Sequence, residues 1–159
     1  MRHRLCSLCC TLALVAGIMG VSVTDAHASE GLPMIDGSYL THDDESVGYD
    51  TKITRGEDLL AGYSKCARLG PGKLYAGGTT IAAHTVADIG VGVSVERAQR
   101  GDDRWSGYTA WQKFSKDVDR VASNKTLEVE GGYYYRVSSI HSANSDLSDS
   151  FTDGVYIEP

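Results

Sequence analysis

Beyond Cys10 the sequence contains a single cysteine, Cys66. A lone thiol excludes an intramolecular disulfide framework and any multi-cysteine zinc site in that part of the chain. Its simplest use is as a small buried apolar residue. Histidine is equally sparse: His42, His84 and His141 are the three beyond residue 30. None has a close histidine or cysteine neighbour, the spacing that metal sites use. No metal site and no cofactor is therefore expected. Positive charge is short too, with 15 basic against 21 acidic residues and a net charge of −6. Such a chain has no overall field to attract nucleic acid or an anionic membrane, and no concentrated basic patch overrides it. Gly-x-Ser-x-Gly, the nucleophile-elbow pattern, is absent. No glycine-rich loop opens a helix to cradle phosphate, because no long helical pattern follows one. There is no internal repeat.

What is present begins with Met1 to Arg4, a short basic head. Leu5 to Val23 is mostly apolar, and Ala26-His27-Ala28 has the small-x-small form of a signal-peptidase site. Together these read as a secretory signal, residues 1–28, cut between Ala28 and Ser29. An uncleaved membrane anchor is the rival, since the apolar run nearly suffices to span a bilayer. A lipoprotein anchor fails on position, because Cys6, Cys9 and Cys10 sit at the start of the run rather than after it. Cleavage leaves 159 minus 28, or 131 residues, enough for one domain with a modest core. Losing Arg2, Arg4 and Asp25 takes the net charge from −6 to −7.

Residues 29–53 are rich in Gly, Ser, Asp and Thr and read as a flexible lead. His42-Asp43-Asp44-Glu45 within it matches no loop of alternating calcium ligands and reads as a solvated acidic patch. From residue 54 to 159 the pattern is β. Ser64 to Leu69 is a strand closed by Gly70-Pro71-Gly72. Lys73 to Ala83 follows, with a bulge expected at Gly77-Gly78. Asp88 to Arg97 alternates cleanly, Ile89, Val91, Val93 and Val95 against Gly90, Gly92, Ser94 and Glu96. Trp105 to Phe114 returns as its hairpin partner. Phe114 to Ala122 has spacing that also suits a helical turn. Lys125 to Glu130 is a strand, and Gly131-Gly132 then opens Tyr133 to His141, the strongest strand signal in the chain. There Tyr133, Tyr135 and Val137 share one face and Tyr134, Arg136 and Ser138 the other. A loop from Ser142 to Asp149 and a strand near Phe151 to Ile157 finish the chain. About seven short strands and no long helix predict a single antiparallel β-sandwich of the immunoglobulin or fibronectin III kind.

Chemistry-bearing residues are few. Cys66 with His84 or His141 supplies residue types for nucleophilic catalysis but no orienting third group. A hydrolase would need His84 and His141 to meet in the fold. Arg100-Gly101-Asp102 resembles the tripeptide that cell-adhesion receptors read, and with Trp105 it forms the candidate binding loop, at a hairpin tip. Ordinary turn chemistry explains the same residues. Asn124-Lys125-Thr126 fits a glycosylation acceptor. Trp105, Trp111, Tyr108 and Tyr134 are a second lead: an exposed stripe of them would stack on sugar rings or a protein, and a buried one would be core.

Leu127-Glu128-Val129-Glu130-Gly131-Gly132-Tyr133 resembles the penultimate strand of fibronectin type III domains. That resemblance places Tyr133 on the tyrosine-corner position, six residues after Leu127, and makes both structural. More broadly, the chain is similar to a family of small exported proteins of unknown function, mostly from Gram-positive bacteria. The shared runs are Ile35-Asp36-Gly37-Ser38-Tyr39-Leu40-Thr41, Gly72-Lys73-Leu74-Tyr75-Ala76-Gly77-Gly78-Thr79-Thr80, Val95-Glu96-Arg97, Gly132-Tyr133-Tyr134-Tyr135-Arg136-Val137 and Ser150-Phe151-Thr152-Asp153-Gly154, with Thr54-Arg55-Gly56. This implies secretion and a β fold, and supplies no catalytic residues. The expected function is a secreted, non-catalytic module that binds an extracellular protein or carbohydrate, touching membrane only during export. A secreted hydrolase and a secreted effector or toxin are the alternatives.

If the leader reading is right, N-terminal sequencing of protein recovered from the medium should begin at Ser29. Recovery of intact Met1 from the membrane fraction would reject it.

Overall fold

The computed structural model describes residues 31–50 and 56–159. The leader with its Ala28–Ser29 junction, and Thr54-Arg55, lie outside the described residues. Among those residues the fold is all-β, with nine strands in one mixed sheet that curls into a half-barrel, and no helix. The strands are β1 (Met34–Ile35), β2 (Ser38–Thr41), β3 (Glu45–Tyr49), β4 (Leu59–Gly70), β5 (Lys73–Ala98), β6 (Ser106–Glu128), β7 (Tyr133–Ala143), β8 (Asp146–Phe151) and β9 (Gly154–Ile157).

β5 organises the rest. The two strands expected on either side of Ala83 are one strand of 26 residues. β6 runs antiparallel along its whole length, from Lys73↔Glu128 to Arg97↔Ser106. On the other edge β4 pairs with the first half of β5, and β7 with the second half. The register slips between Ile81 and Val86, where β6 supplies far fewer residues than β5. This bulge bends the strand. Just past it, between Val86 and Ile89, the buried side passes from even positions, Leu74, Ala76, Thr80, Ala82 and Val86, to odd ones, Ile89, Val91, Val93 and Val95. Asp117 on β6, at the same level, takes a φ of 55° to follow the bend. The bend folds β4 over β7 and β8, so one core lies between them.

Gly77-Gly78, expected as a bulge or bend, keep regular register with β4 and β6, so they are no bulge. They are glycine for space: a Cβ at Gly78 would lie 2.6 Å from Ser139 Oγ and 2.9 Å from Val91 Cγ2. The stretch Phe114 to Ala122 is strand, not helical turn. Ser142 to Asp149 is a hairpin rather than a loop. β7 runs to Ala143, Asn144 turns with a φ of 48°, and β8 returns.

The expected flexible lead is also partly ordered, because residues 34–49 form β1 to β3. Ile35 and Leu40 are buried with Ala98, Trp105 and Tyr134 in a second, smaller apolar cluster. β2 pairs in parallel with β9, so the sheet is mixed and the purely antiparallel expectation does not hold. Ser38 Oγ donates to the Thr152 carbonyl at 2.8 Å, and the Tyr39 amide donates to Asp153 Oδ1 at 2.9 Å. The acidic patch tethers β3 and its approach to β4: Lys65 pairs with Glu45 at 2.7 Å, and Arg68 pairs with Asp44.

The tyrosine-corner bond belongs to Tyr135, not Tyr133. Tyr135 is fully buried, and its hydroxyl donates to the Glu130 carbonyl at 2.9 Å. Tyr133 is half-buried under the Arg97 guanidinium, 4.5 Å from the ring centre. The two residues share a face, and Gly131-Gly132 sets the strand start two residues before the one that reaches back. Leu127 packs, half-buried, against the main core.

Tyr135→Phe should therefore cost about 1–2 kcal/mol in urea titration, because a buried carbonyl loses its donor. Tyr133→Phe should stay within about 0.5 kcal/mol of wild type. The reverse order would return the corner to Tyr133.

Candidate functional site

Two places combine the right chemistry with an unusual setting. The first is buried between the layers. β7 alternates so that Ser139 and His141 follow Tyr135 and Val137 onto the core face, and Ser64 and Ser150 meet them from β4 and β8. His141 is 0% exposed. Its Nδ1 lies 2.9 Å from Thr80 Oγ1, and its Nε2 lies 2.8 Å from Ser150 Oγ. The Thr80 hydroxyl donates to the Gly90 carbonyl at 2.8 Å. It must therefore accept from Nδ1–H, which leaves Nε2 to accept from the Ser150 hydroxyl. Ser64 Oγ closes the set, donating to Ser139 Oγ at 2.7 Å and lying 2.8 Å from Ser150 Oγ. Ser148 sits opposite His141 in the β7–β8 register, and its buried Oγ finds no partner among the described residues.

Burial pushes the His141 pKa from 6.5 down to about 4, against the opposing pull of the Asp50 and Asp149 carboxylates. The imidazole is neutral at pH 7, with both nitrogens engaged. A serine bonded to a histidine is the start of a nucleophile–base pair. Here the third partner is a threonine hydroxyl rather than a carboxylate, and no reacting atom reaches solvent. The cluster's evident work is to satisfy polar groups where the layers approach too closely for large side chains. A Cβ at Gly62 would lie 2.2 Å from His141 Cδ2.

The second place is the opposite face of the same strands. Register puts Phe114, Gly90, Ser142 and Leu147 in one row across β6, β5, β7 and β8. The next row is Gln112, Gly92, Ile140 and Asp149, and the next is Ala110, Ser94, Ser138 and Phe151. Further along, β1, β2 and Trp105 cover the same face over Tyr134. From Ser138 onward it is uncovered, and Phe114 (65%), Ile140 (62%) and Leu147 (59%) stand exposed. Small residues at Gly92 and Ser94 make the floor of a shallow groove of about 520 Å³ between Gln112 and Ile140.

The residues singled out from the sequence do not converge. His84 is exposed and pairs with Asp58, Nε2 to Oδ1 at 3.0 Å, while His141 is in the core, and Cys66 is buried with its Sγ donating to the Tyr135 carbonyl at 3.3 Å. Burial pushes the Cys66 thiol pKa well above its ordinary value, so it is no thiolate nucleophile. Arg100 and Gly101 are at the β5–β6 hairpin tip and exposed, but the Asp102 carboxylate is tied back to the Gln99 amide at 2.7 Å. Trp105, expected in the binding loop, is buried, with Nε1 donating to the Ile35 carbonyl at 2.9 Å and Arg136 stacked 4.8 Å from its ring. Of the four aromatics read as either an exposed stripe or core, Trp105 and Tyr134 are core and Trp111 is half-buried, leaving Tyr108 exposed. His42 packs on Tyr134 and Tyr156. Among the described residues no group of three or more His, Cys, Asp or Glu is placed to hold a metal ion.

No family model matches the chain, and no curated protein matches it. Among solved structures the chain is similar to Spo0M, a sporulation control protein from Bacillus subtilis, at 10% identity and a TM-score of 0.38. The match covers 74% of this chain and 50% of that one, so the chain spans about half of that protein's length.

The His141 environment has a sign that can be measured. Its pKa is lower folded than unfolded, so the unfolded chain takes up the proton first. The stability it confers is complete above pH 6.5 and is lost as pH falls from 6.5 towards 4, by roughly 3 kcal/mol in all. Urea titrations across that window should show His141→Gln taking up about one proton fewer on unfolding than wild type. Equal uptake would place the charge elsewhere.

Proposed function

We propose that this chain is a secreted, non-catalytic binding module that engages a partner protein through the uncovered face of β6, β5, β7 and β8. The observation that carries this reading is the exposure of Phe114, Ile140 and Leu147 together on one face, beside a shallow groove. Contiguous exposed apolar surface of this kind is a mark of interaction sites. Aliphatic Ile140 and Leu147 suit a protein surface better than sugar rings, which favour flat aromatic platforms. The groove is open and carries no titratable side chain on its floor, which suits contact over an area better than turnover of a small substrate. The folding of β4 over β7 and β8 supports a sandwich-like architecture, with loops and faces available for recognition. Export, extracellular location and kinship with the small exported proteins of Gram-positive bacteria belong to the same proposal. They rest on the leader pattern and the shared sequence runs. A hydrolytic reading has the Ser150–His141 contact in its favour, but the full burial of that pair weighs against it.

The test is a Phe114→Ser, Ile140→Ser double variant. Anilinonaphthalene sulfonate fluorescence should rise strongly with wild type and fall by more than half with the variant, while the melting curve stays that of a surface change, within about 0.5 kcal/mol per site. No rise with wild type would sink the proposed face. Esterase, peptidase, glycosidase or nuclease turnover that a folded Ser150→Ala variant loses would replace it with the hydrolase.

A further inference from the structure

The outward face of β3, β4, the first half of β5 and the second half of β6 differs in character from the apolar one. Register is unbroken across it. Glu45, Ala67, Tyr75 and Thr126 make one row, Val47, Lys65, Gly77 and Asn124 the next, and Tyr49, Tyr63, Thr79 and Ala122 a third. Three tyrosines thus stand on one regular ladder. Tyr49 and Tyr63 are neighbours, with ring centres 6.0 Å apart and planes tilted by 49°, and Tyr49 is 67% exposed. Tyr75 is half-buried, four residues away along the strands, or about 13 Å. Its ring leans over Gly77: a Cβ there would lie 3.2 Å from the Tyr75 hydroxyl oxygen and 2.8 Å from Asn124 Cβ. On its other side a groove of about 260 Å³ is lined by Glu45, Lys65, Ala67 and Leu69.

The charges on this face are paired, with one exception. Lys65 pairs with Glu45 at 2.7 Å and Lys73 with Glu128 at 3.9 Å. Arg120, exposed in the row beyond Tyr63, has no ion pair among the described residues, and its Nη2 donates to the Tyr63 hydroxyl at 3.5 Å. Three basic and two acidic residues leave these outward positions at +1, on a chain whose net charge is −6. We propose that this face is a binding platform for an acidic polysaccharide, one whose sugar rings carry carboxylates. Tyr49 and Tyr63 supply flat amphipathic rings for the C–H faces of the sugars. Arg120, beside them, supplies a planar fork that accepts a carboxylate in two parallel bonds. Asn124 and Thr126, both exposed near Tyr75, offer an amide and a hydroxyl to sugar hydroxyls. The sign of the charge is what selects the ligand: a positive patch on a negative chain attracts an anion to that patch and not to the rest of the surface. The row between the rings favours a sugar over an acidic protein, because it sets Lys65 and Asn124 on either side of Gly77 and holds no large apolar side chain on β4, β5 or β6. The proposal is independent of the apolar face, which belongs to the other layer.

The experiment is affinity electrophoresis of the protein through gels that hold sodium polygalacturonate, sodium alginate, neutral dextran or sodium polyglutamate. One or both of the uronate polymers should retard wild type, dextran should not, and the retardation should weaken as salt is added. A Tyr49→Ala, Tyr63→Ala double variant should lose affinity at least about tenfold, and so should Arg120→Gln alone. The Phe114→Ser, Ile140→Ser variant should be retarded as wild type is, which separates failure of this site from failure of the apolar face. Passage of wild type unhindered through both uronate gels would overturn the proposal, as would equal retardation by dextran or unchanged affinity in the ring and arginine variants. Equal retardation by polyglutamate would give the face to an acidic protein instead. Arg120→Gln alters one exposed side chain, so its result stands even if the double variant fails to fold.

Discussion

The bulge between Ile81 and Val86 is the constraint on which the rest of the molecule depends. β6 alone lines one edge of β5, and a straight strand of 26 residues would leave half its apolar positions without a second layer. The slip in register bends the strand, and just past it, between Val86 and Ile89, the inward-facing positions pass from even to odd. One strand thus contributes to both layers, with Leu74 and Ala76 facing Val91 and Val93 across the same core. β4 and β7 never need to hydrogen-bond to one another. Each takes the same edge of β5 on its own side of the bend, and folding the bend shut brings them face to face. β6 follows, and its two halves meet through the Trp111 Nε1 bond to Ser123 Oγ at 3.1 Å.

The polar character of the deepest contact follows from that geometry. Where the layers are closest, near Gly62 and Gly78, no large side chain fits. Serine, threonine and one histidine fill the space, and each must find partners inside because water is excluded. A neutral imidazole with one donor and one acceptor is well suited to join hydroxyls from two other strands, Thr80 on β5 and Ser150 on β8. It makes the core specific about which faces meet, since a mispaired layer would leave several hydroxyls unsatisfied. The same chemistry in an open cleft would invite a catalytic reading. Burial turns it into a structural clasp.

Much of this was legible in the sequence, and the parts that were not have physical reasons. The alternation from Ile89 to Val95 and the Tyr133–Val137 faces declared themselves, because a half-buried strand with one apolar side has period two. Carried four residues further, the same alternation places Ser139 and His141 on the core face. Period alone could not show that Ser64, Thr80 and Ser150 would meet them, since those come from distant strands. The glycines at 77 and 78 signalled something, but close packing and a bulge produce the same letter. The bulge itself falls at Ala82 to Thr85, which carry no glycine or proline. β1 to β3 were missed because each is short, and each is held by a bond between side chain and backbone that spans 70 to 114 positions. Trp105 looked like a loop aromatic because its cover, Ile35 and Leu40, lies in a stretch with little apolar content of its own. The exposed face was hidden in plain alternation: Phe114, Ile140 and Leu147 belong to three strands and become neighbours only after pairing.

The parallel pairing of β2 with β9 has a consequence for how the chain acquires its structure. β5 with β6, and β7 with β8, are hairpins whose contacts close short loops and can form early. The cover over Trp105 and Tyr134 is different. Ser38 reaches its carbonyl partner at Thr152 across a sequence separation of 114, so the smaller core waits for the last residues of the chain. Closing so long a loop is entropically costly and is rewarded only when β9 has already settled against β7. β1 and β2 thus depend on the last strand for their place, and the C-terminal residues, though few, complete both apolar clusters: Val155 and Ile157 enter one, and Tyr156 packs against the other.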